Sequence, residues 1–316
     1  MSTFLARRVL FSVLTLIAAT LIVFMLSRSA GDPRLLYAKP GGYGISQETW
    51  DALGKKLGLD KPVPVQYLLW VGNALTGDFG KTIVDERPVS RLIQLRMGAT
   101  FQLAISSWLF ATIVGVPIGL YSAVSRGRFF DYLGRGFALF GQSVPSFWLA
   151  IMAIYLFGYQ LGWLPTYGRG DTTTGIIHNW KHFVLPVVTL GLGAAAGYVR
   201  LTRSAMLEVL DSEYIRLARA KGCSTKMVIW KHALRNALIS PLTYSGLLLA
   251  GFLGGTVVIE TVFAWPGLGR LATDAVFNND FPTMTGTVMV FAAIFVGFSF
   301  VIDVLYGVVD PRIRYT

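Results

Sequence analysis

The sequence predicts an all-α, polytopic membrane protein with six transmembrane helices, and three observations predict it. Hydrophobic residues make up 53% of the 316 positions and charged residues 14%, too little polar surface to solvate a single globule in water. Six apolar runs, at about 9–27, 99–124, 136–162, 183–200, 237–262 and 284–309, approach or exceed the roughly 20 residues that cross a bilayer. Lys and Arg gather in alternate connections between those runs, the pattern of short loops held in the cytoplasm.

The first run follows Arg7 and Arg8. Its apolar core is too long for a cleavable leader, so residues 1–27 read as a retained membrane anchor. Residues 28–98 form a long loop with helical punctuation: Ser46 is placed to cap a short helix ending near Gly58, and Pro64 to open another that stops before Gly77. A small extracytoplasmic cap is expected there. Residues 99–316 supply the other five spans as one core, with a cytoplasmic segment at 211–236. Within the core Gly115 and Gly119, Gly193 and Gly197, and Gly251 and Gly255 repeat the spacing of small residues that brings membrane helices close together. Pro117 falls between the first pair and is expected to kink its helix.

With the N-terminus inside, the cytoplasmic pieces carry Arg7 and Arg8, then Arg126, Arg128 and Arg135, then a basic stretch from Arg200 to Arg235, and finally Arg312 and Arg314. The short outer connections hold only Arg169, Lys181 and Arg270. Both termini are therefore expected in the cytoplasm. The inside loops account for most of the net charge of +11, which implies no nucleic-acid partner. A single cysteine, Cys223, excludes an internal disulfide.

Catalytic signatures are scarce. LTGDFGKT, Leu75 to Thr82, nearly spells a phosphate-binding loop, but that motif needs glycine where Leu75 stands and a strand before it. His178 and His182 share a helical spacing without the third and fourth ligands of a metal site, and with Trp180 between them they read as an interfacial segment. No G-x-S-x-G elbow and no mid-span pair of carboxylates is present, and Glu260 and Asp303 fall near the ends of their runs. Intramembrane proteolysis and proton-coupled carriage are both disfavoured. The apolar runs do contain Gln102, Gln142, Ser143 and Ser146, which serve either as the lining of a path for a hydrogen-bonding solute or as interhelical hydrogen bonds.

The segment EYIRLARAKGCSTKMVIWKHALRNA, Glu213 to Ala237, is the most informative. Asp211 or Ser212 can cap a helix in which Tyr214, Leu217, Ala218 and Lys221 share a face. Gly222 ends that helix, and Ser224 can cap a second one running towards Ala237. Small Ala218 and Ala220 permit close approach, while Arg216, Arg219 and Lys221 offer charge-assisted contacts to acidic groups. A basic helix lying on anionic lipid fits the charge equally well, yet gives no reason for a break at glycine between two spans. A docking surface is the preferred reading.

ARAKG (218–222) followed by KHALRNAL (231–238) resembles the cytoplasmic EAA loop of binding-protein-dependent ABC importers, in the form used by the dipeptide/oligopeptide/nickel permease family. GLDKPVPVQY (58–67), GDFGKT (77–82), SVPSFW (143–148), ETVFAWPGLGRL (260–271) and DPRIRY (310–315) are similar to stretches of that family's first membrane subunit, so the resemblance covers nearly the whole chain. It implies a type I importer permease fold in a bacterial inner membrane and half of a pore shared with a second, homologous permease. It further implies two ATPase subunits that bind ATP and Mg in the partners' sites, and an extracytoplasmic solute-binding protein. On this resemblance Tyr214, Arg216, Ala218, Arg219, Ala220, Lys221 and Gly222 couple to the ATPase, although Arg216 and Arg235 stand where the general motif has glutamate and proline. Trp265, Pro266 and Gly267 belong to an outer gate, to a platform for the binding protein, or to a simple helix connector. Di- or oligopeptides are the expected cargo, with nickel chelates, glutathione or sugars as alternatives within the family. A self-contained secondary transporter is the alternative from another class.

Overall fold

Where water is absent, a spanning chain must satisfy its backbone internally, and every apolar run here is helical. The computed structural model describes residues 2–29, 34, 47–56, 59–171 and 178–309. In chain order the helices are α1 (Ser2–Ser29), α2 (Gln47–Lys56), α3 (Val63–Leu75), α4 (Val89–Val124), α5 (Phe129–Ser143) and α6 (Ser146–Ala153), the last continued by a π-helical stretch, Ile154–Gln160. Then follow α7 (Trp180–Leu210), α8 (Glu213–Ala220), α9 (Thr225–Met227), a second π-helical stretch (Val228–Ala233), α10 (Leu234–Ala237), α11 (Ile239–Val262), α12 (Leu268–Phe277) and α13 (Phe281–Val309). Among the described residues there is no strand beyond an isolated bridge between Lys81 and Pro88.

Helices α1, α4, α7 and α13 are long and apolar enough to cross a membrane unbroken. Two bent runs, α5 with α6 and its π extension, and α11, raise the number to six if each counts as one span. The expected third span is thus not one straight helix: it is two helices meeting at 100°. Pro145 is the cause: it has no N–H to give, and it holds Val144 in an extended conformation at ψ 123°. By contrast α4 runs on through Pro117 as one helix. Helix α4 also starts ten residues before its apolar run, because Val89 and Ile93 sit one turn apart on a face buried against Leu268 and Leu271 of α12. The proposed cap Ser46 and the helix end at Gly58 lie outside the described residues. Helix α3 carries Pro64 in its first turn and is followed by Gly77 at φ +83°, as its sequence suggests.

The chain divides into two compact units, residues 1–99 with 266–316, and residues 100–265. In the first, α1 packs along α13 and Arg8 pairs with Asp303 at 3.0 Å. Tyr67 of α3 shares a 2.9 Å hydrogen bond with Thr20 of α1, and its ring and that of Trp70 surround Phe24. Asp280 is buried between α12 and α13. Its carboxylate accepts from the hydroxyls of Thr82 and Thr283 and from the backbone N–H of Ile83 and Thr283, which ties the 78–88 loop to the start of α13.

In the second unit α7 is the hub, with 72% of its apolar window buried against 11% for α1. Helices α5, α6 and α11 pack on it. Gly115 and Gly119 let α4 approach as their spacing predicts: a Cβ on Gly115 would lie 2.5 Å from the carbonyl oxygen of Ala195, and one on Gly119 2.7 Å from that of Val199. Gly197 faces the Tyr244 hydroxyl, whereas Gly251 has open space before it.

Candidate coupling surface and translocation path

All the residues discussed for coupling belong to the 100–265 unit. Helix α8 is fastened by one side chain that the spacing of its polar face does not single out. Ile215 is fully buried in a cluster with Leu120 and Ala123 of α4, Met206 of α7, Val228 and Ala233 of the second π stretch, and Ala237 of α10. With Ile215 turned inward, Tyr214, Leu217 and Lys221 are exposed together with Arg216, Arg219 and Ala220, while Ala218 is half-buried. The face read from the spacing therefore exists, shifted so that Ala218 borders the core. Apolar Ile215 among charged neighbours was the available signal.

The two turns around α8 are explained by hydrogen bonds. At its C-terminus Cys223 N–H donates to the Ala218 carbonyl at 3.2 Å and Gly222 N–H to the Arg219 carbonyl at 2.9 Å, the six-to-one and five-to-two pattern that requires a left-handed residue at the position of Gly222. Gly222 has φ +80°. Ser224 then caps the next helix, accepting from Met227 N–H at 3.4 Å. The capping expected of Asp211 or Ser212 takes a different form. Ser212 holds the N-cap position, but its hydroxyl donates back to the Val209 carbonyl, and Asp211 ends α7 and pairs with Arg126 at 3.2 Å. The α8–α10 hairpin is closed by Tyr214, whose hydroxyl accepts from Asn236 Nδ2 at 2.8 Å and donates to the His232 carbonyl at 3.3 Å. Arg216 pairs with Glu213 on the open surface at 2.6 Å, a contact of small energetic weight.

Behind this surface lies a charge clamp with no local sequence signal. Arg203 of α7 grips Asp131 of α5 with two parallel hydrogen bonds, 2.7 and 3.0 Å, and Asp131 also accepts from the Ser122 hydroxyl at 2.8 Å and from Gly127 N–H at 3.0 Å. The clamp joins the helix that leads into α8 to the helix that leads to the 100° bend.

Three of the candidate path residues meet at that bend. Gln142 and Ser143 end α5, Ser146 begins α6, and all three are exposed. Gln102 is apart from them in its bonding: its Oε1 accepts from the Arg169 guanidinium, carried on the loop after the first π stretch. Gly168, beside Arg169, is held by an N–H bond of 2.8 Å to the Phe263 carbonyl. Trp265 is fully buried, edge-on to Phe183 at 4.8 Å between ring centroids. Pro266 follows it, and Gly267 is the N-cap of α12.

The remaining motifs do no visible chemistry. In GDFGKT, Gly77 and Gly80 both have positive φ, and Asp78 Oδ1 accepts from Gly80 N–H at 2.9 Å, which makes a tight turn rather than a phosphate cradle. Among the described residues no group of three or more His, Cys, Asp or Glu side chains could hold a metal ion. His182 Nδ1 lies 3.3 Å from the Tyr167 carbonyl.

Comparison with known proteins meets the resemblance carried by these motifs. Residues 115–315 match the family described as binding-protein-dependent transport system inner membrane component, and residues 1–104 match its N-terminal membrane-component family. The oligopeptide transport system permease protein AppB of Bacillus subtilis is 40% identical over 320 residues, with all of both chains covered. The glutathione transport system permease protein GsiC of Salmonella paratyphi A is 39% identical over 316 residues, again with full coverage. The dipeptide transport system permease protein DppB of Alkalihalophilus pseudofirmus is 39% identical over 98% of each chain. The fold is shared with an inward-facing structure of the MetNI methionine ABC transporter, at 22% identity and a TM-score of 0.56 over 69% of this chain and 96% of that one. From its apolar helices, its motifs and these matches, the chain belongs to the family of inner membrane components of binding-protein-dependent transport systems.

Proposed function

We propose that this permease carries di- or oligopeptides and is itself non-catalytic. It pairs with a second, homologous permease to form the pore, receives cargo from a solute-binding protein and is driven by two cytoplasmic ATPases that bind the ATP and Mg. In this reading the chain sits in a bacterial cytoplasmic membrane with both termini inside, so the α8–α10 hairpin faces the ATPases and the 161–171 loop faces out. The observation that carries it is the division of labour on α8: Ile215 roots the helix in the protein while Tyr214, Leu217, Arg219 and Lys221 are left exposed. A face that is both apolar and basic, next to a rigid glycine turn, suits a groove with acidic and apolar walls. The path would pass Gln142, Ser143 and Ser146 at the α5–α6 bend, with Trp265, Pro266 and Gly267 at an outer gate or platform.

The peptide assignment is supported by the similarity to the oligopeptide permease AppB and the dipeptide permease DppB, along essentially the full length of each. The similarity to GsiC favours glutathione as a second reading. The test is uptake by the complete transporter in proteoliposomes. ATP-dependent accumulation of labelled tri-alanine, resistant to excess glutathione, supports the first reading; accumulation of glutathione alone supports the second. Full uptake by this chain without an ATPase would defeat both.

A further inference from the structure

Arg169 is a cation in an unusual position. It is half-buried on a short loop, and burial alone pushes its guanidinium below its ordinary value, with no neighbouring carboxylate to offset the loss of water. Its hydrogen-bond partner is neutral Gln102, and among the described residues no acidic side chain pairs with it. Even a half-buried cation without an anion carries a desolvation cost, and the backbone beside it is held on both sides. Gly168 and Gly170, on either side, occupy left-handed conformations at φ +75° and +81°, Gly168 N–H is bound to Phe263, and Asp171 N–H donates to Asn179 Oδ1 at 3.1 Å. The backbone that carries Arg169 is therefore held on both sides, and the guanidinium itself is tied to Gln102.

The contact also orients Gln102. Because its Oε1 accepts from Arg169, its two amide hydrogens point away from that bond and remain unspent, as do the other N–H groups of Arg169. Two donors from a planar fork beside an amide N–H₂ match the two oxygens of a carboxylate and discriminate against a neutral amide, which would bring its own N–H groups against donors. We propose that Arg169 and Gln102 form a subsite for the terminal carboxylate of the transported peptide. The proposal rests on the peptide reading and outward loop given above, and it adds a determinant of specificity inside the permease, separate from any choice made by the binding protein.

The experiment compares uptake of free-acid tri-alanine with that of tri-alanine C-terminal amide in proteoliposomes holding the complete transporter. The preference of the binding protein is common to all variants and cancels when each acid-to-amide ratio is divided by the wild-type ratio. Arg169→Ala is expected to lower that ratio about tenfold, the loss of one charge-assisted pair. Gln102→Leu is expected to lower it less, and Arg169→Lys, which keeps the charge and loses the fork, is expected to fall between wild type and Arg169→Ala. If Arg169→Ala does not assemble, Gln102→Leu and Arg169→Lys carry the same comparison. A wild-type ratio in these variants overturns the subsite and leaves the peptide reading standing, as does an equal loss of both peptides, which assigns the pair to docking of the binding protein. Failure of the wild-type transporter to move tri-alanine at all defeats the peptide reading, and the subsite with it.

Discussion

Arg203 and Asp131, 72 residues apart, form a two-pronged ion pair in which the carboxylate is 3% exposed and the guanidinium 23%. Desolvation works against such a pair unless every remaining lone pair is satisfied, and here Ser122 and Gly127 supply the further donors. Removing one partner strands the other. Arg203→Ala or Asp131→Ala is expected to destabilise the subunit by about 3–5 kcal/mol, read as a lower unfolding temperature in detergent and poor recovery of the complex. Arg203→Lys keeps the charge without the fork and should lose less. A wild-type unfolding temperature for Arg203→Ala would show that the clamp is not structural.

The split on α8 predicts opposite failures for two positions within one turn. Leu217→Asp puts a charge on the exposed face; it should leave the permease folded and weaken its recovery with the ATPase by at least about 2 kcal/mol, roughly thirtyfold in affinity. Ile215→Asp puts the same charge into the cluster of Leu120, Met206 and Val228 and should unfold the hairpin itself. Recovery of the ATPase with Leu217→Asp at wild-type strength would remove the coupling role from this face.

A stiffer test lies at the turn. Gly222→Val forces a β-branched side chain into φ +80°, a strain of about 1–3 kcal/mol, while a Cβ there meets no neighbouring atom. Strain without a clash should misalign the proposed coupling segment and spare the fold. ATP hydrolysis by the complex is expected to persist while uptake is largely lost, and Ala220→Trp should do the same by steric means. Normal uptake by both variants would count against coupling through this segment.

What the sequence makes legible follows from the range of the interaction. Apolar length marks every membrane-sized helix or bent pair, because the bilayer imposes it residue by residue, and Gly222 and Ser224 announce their turns because capping is local. Pro145 carried the signal for the 100° bend, yet the apolar run across it reads as one span. The Asp131–Arg203 clamp and the Arg169–Gln102 contact have no local pattern at all: each joins residues far apart in the chain, and in the sequence alone Arg169 and Arg203 count only as markers of sidedness. The face of α8 is legible with its register slightly off, since Tyr214, Ile215, Leu217 and Ala218 lie within little more than one turn and only packing decides which is innermost.

The end of α11 repeats the turn at the end of α8 with a less suitable residue. Trp265 N–H donates to the Glu260 carbonyl at 2.8 Å and Ala264 N–H to that of Thr261 at 3.2 Å, the same six-to-one and five-to-two pattern, but the left-handed position belongs to Ala264, at φ +50°. An alanine there costs about 1–2 kcal/mol relative to glycine; glycine returns part of that gain through its freer unfolded chain. Ala264→Gly is therefore expected to raise stability by about 1 kcal/mol, and Gly222→Ala, the reverse change at the matching position, to lower it by a similar amount. The two should shift the unfolding temperature in opposite directions. Strain beside buried Trp265 can also serve function, since this turn is the proposed outer gate or platform. If it does, the more stable Ala264→Gly variant will hydrolyse ATP normally and import more slowly; if its uptake equals that of wild type, the strain is incidental to transport.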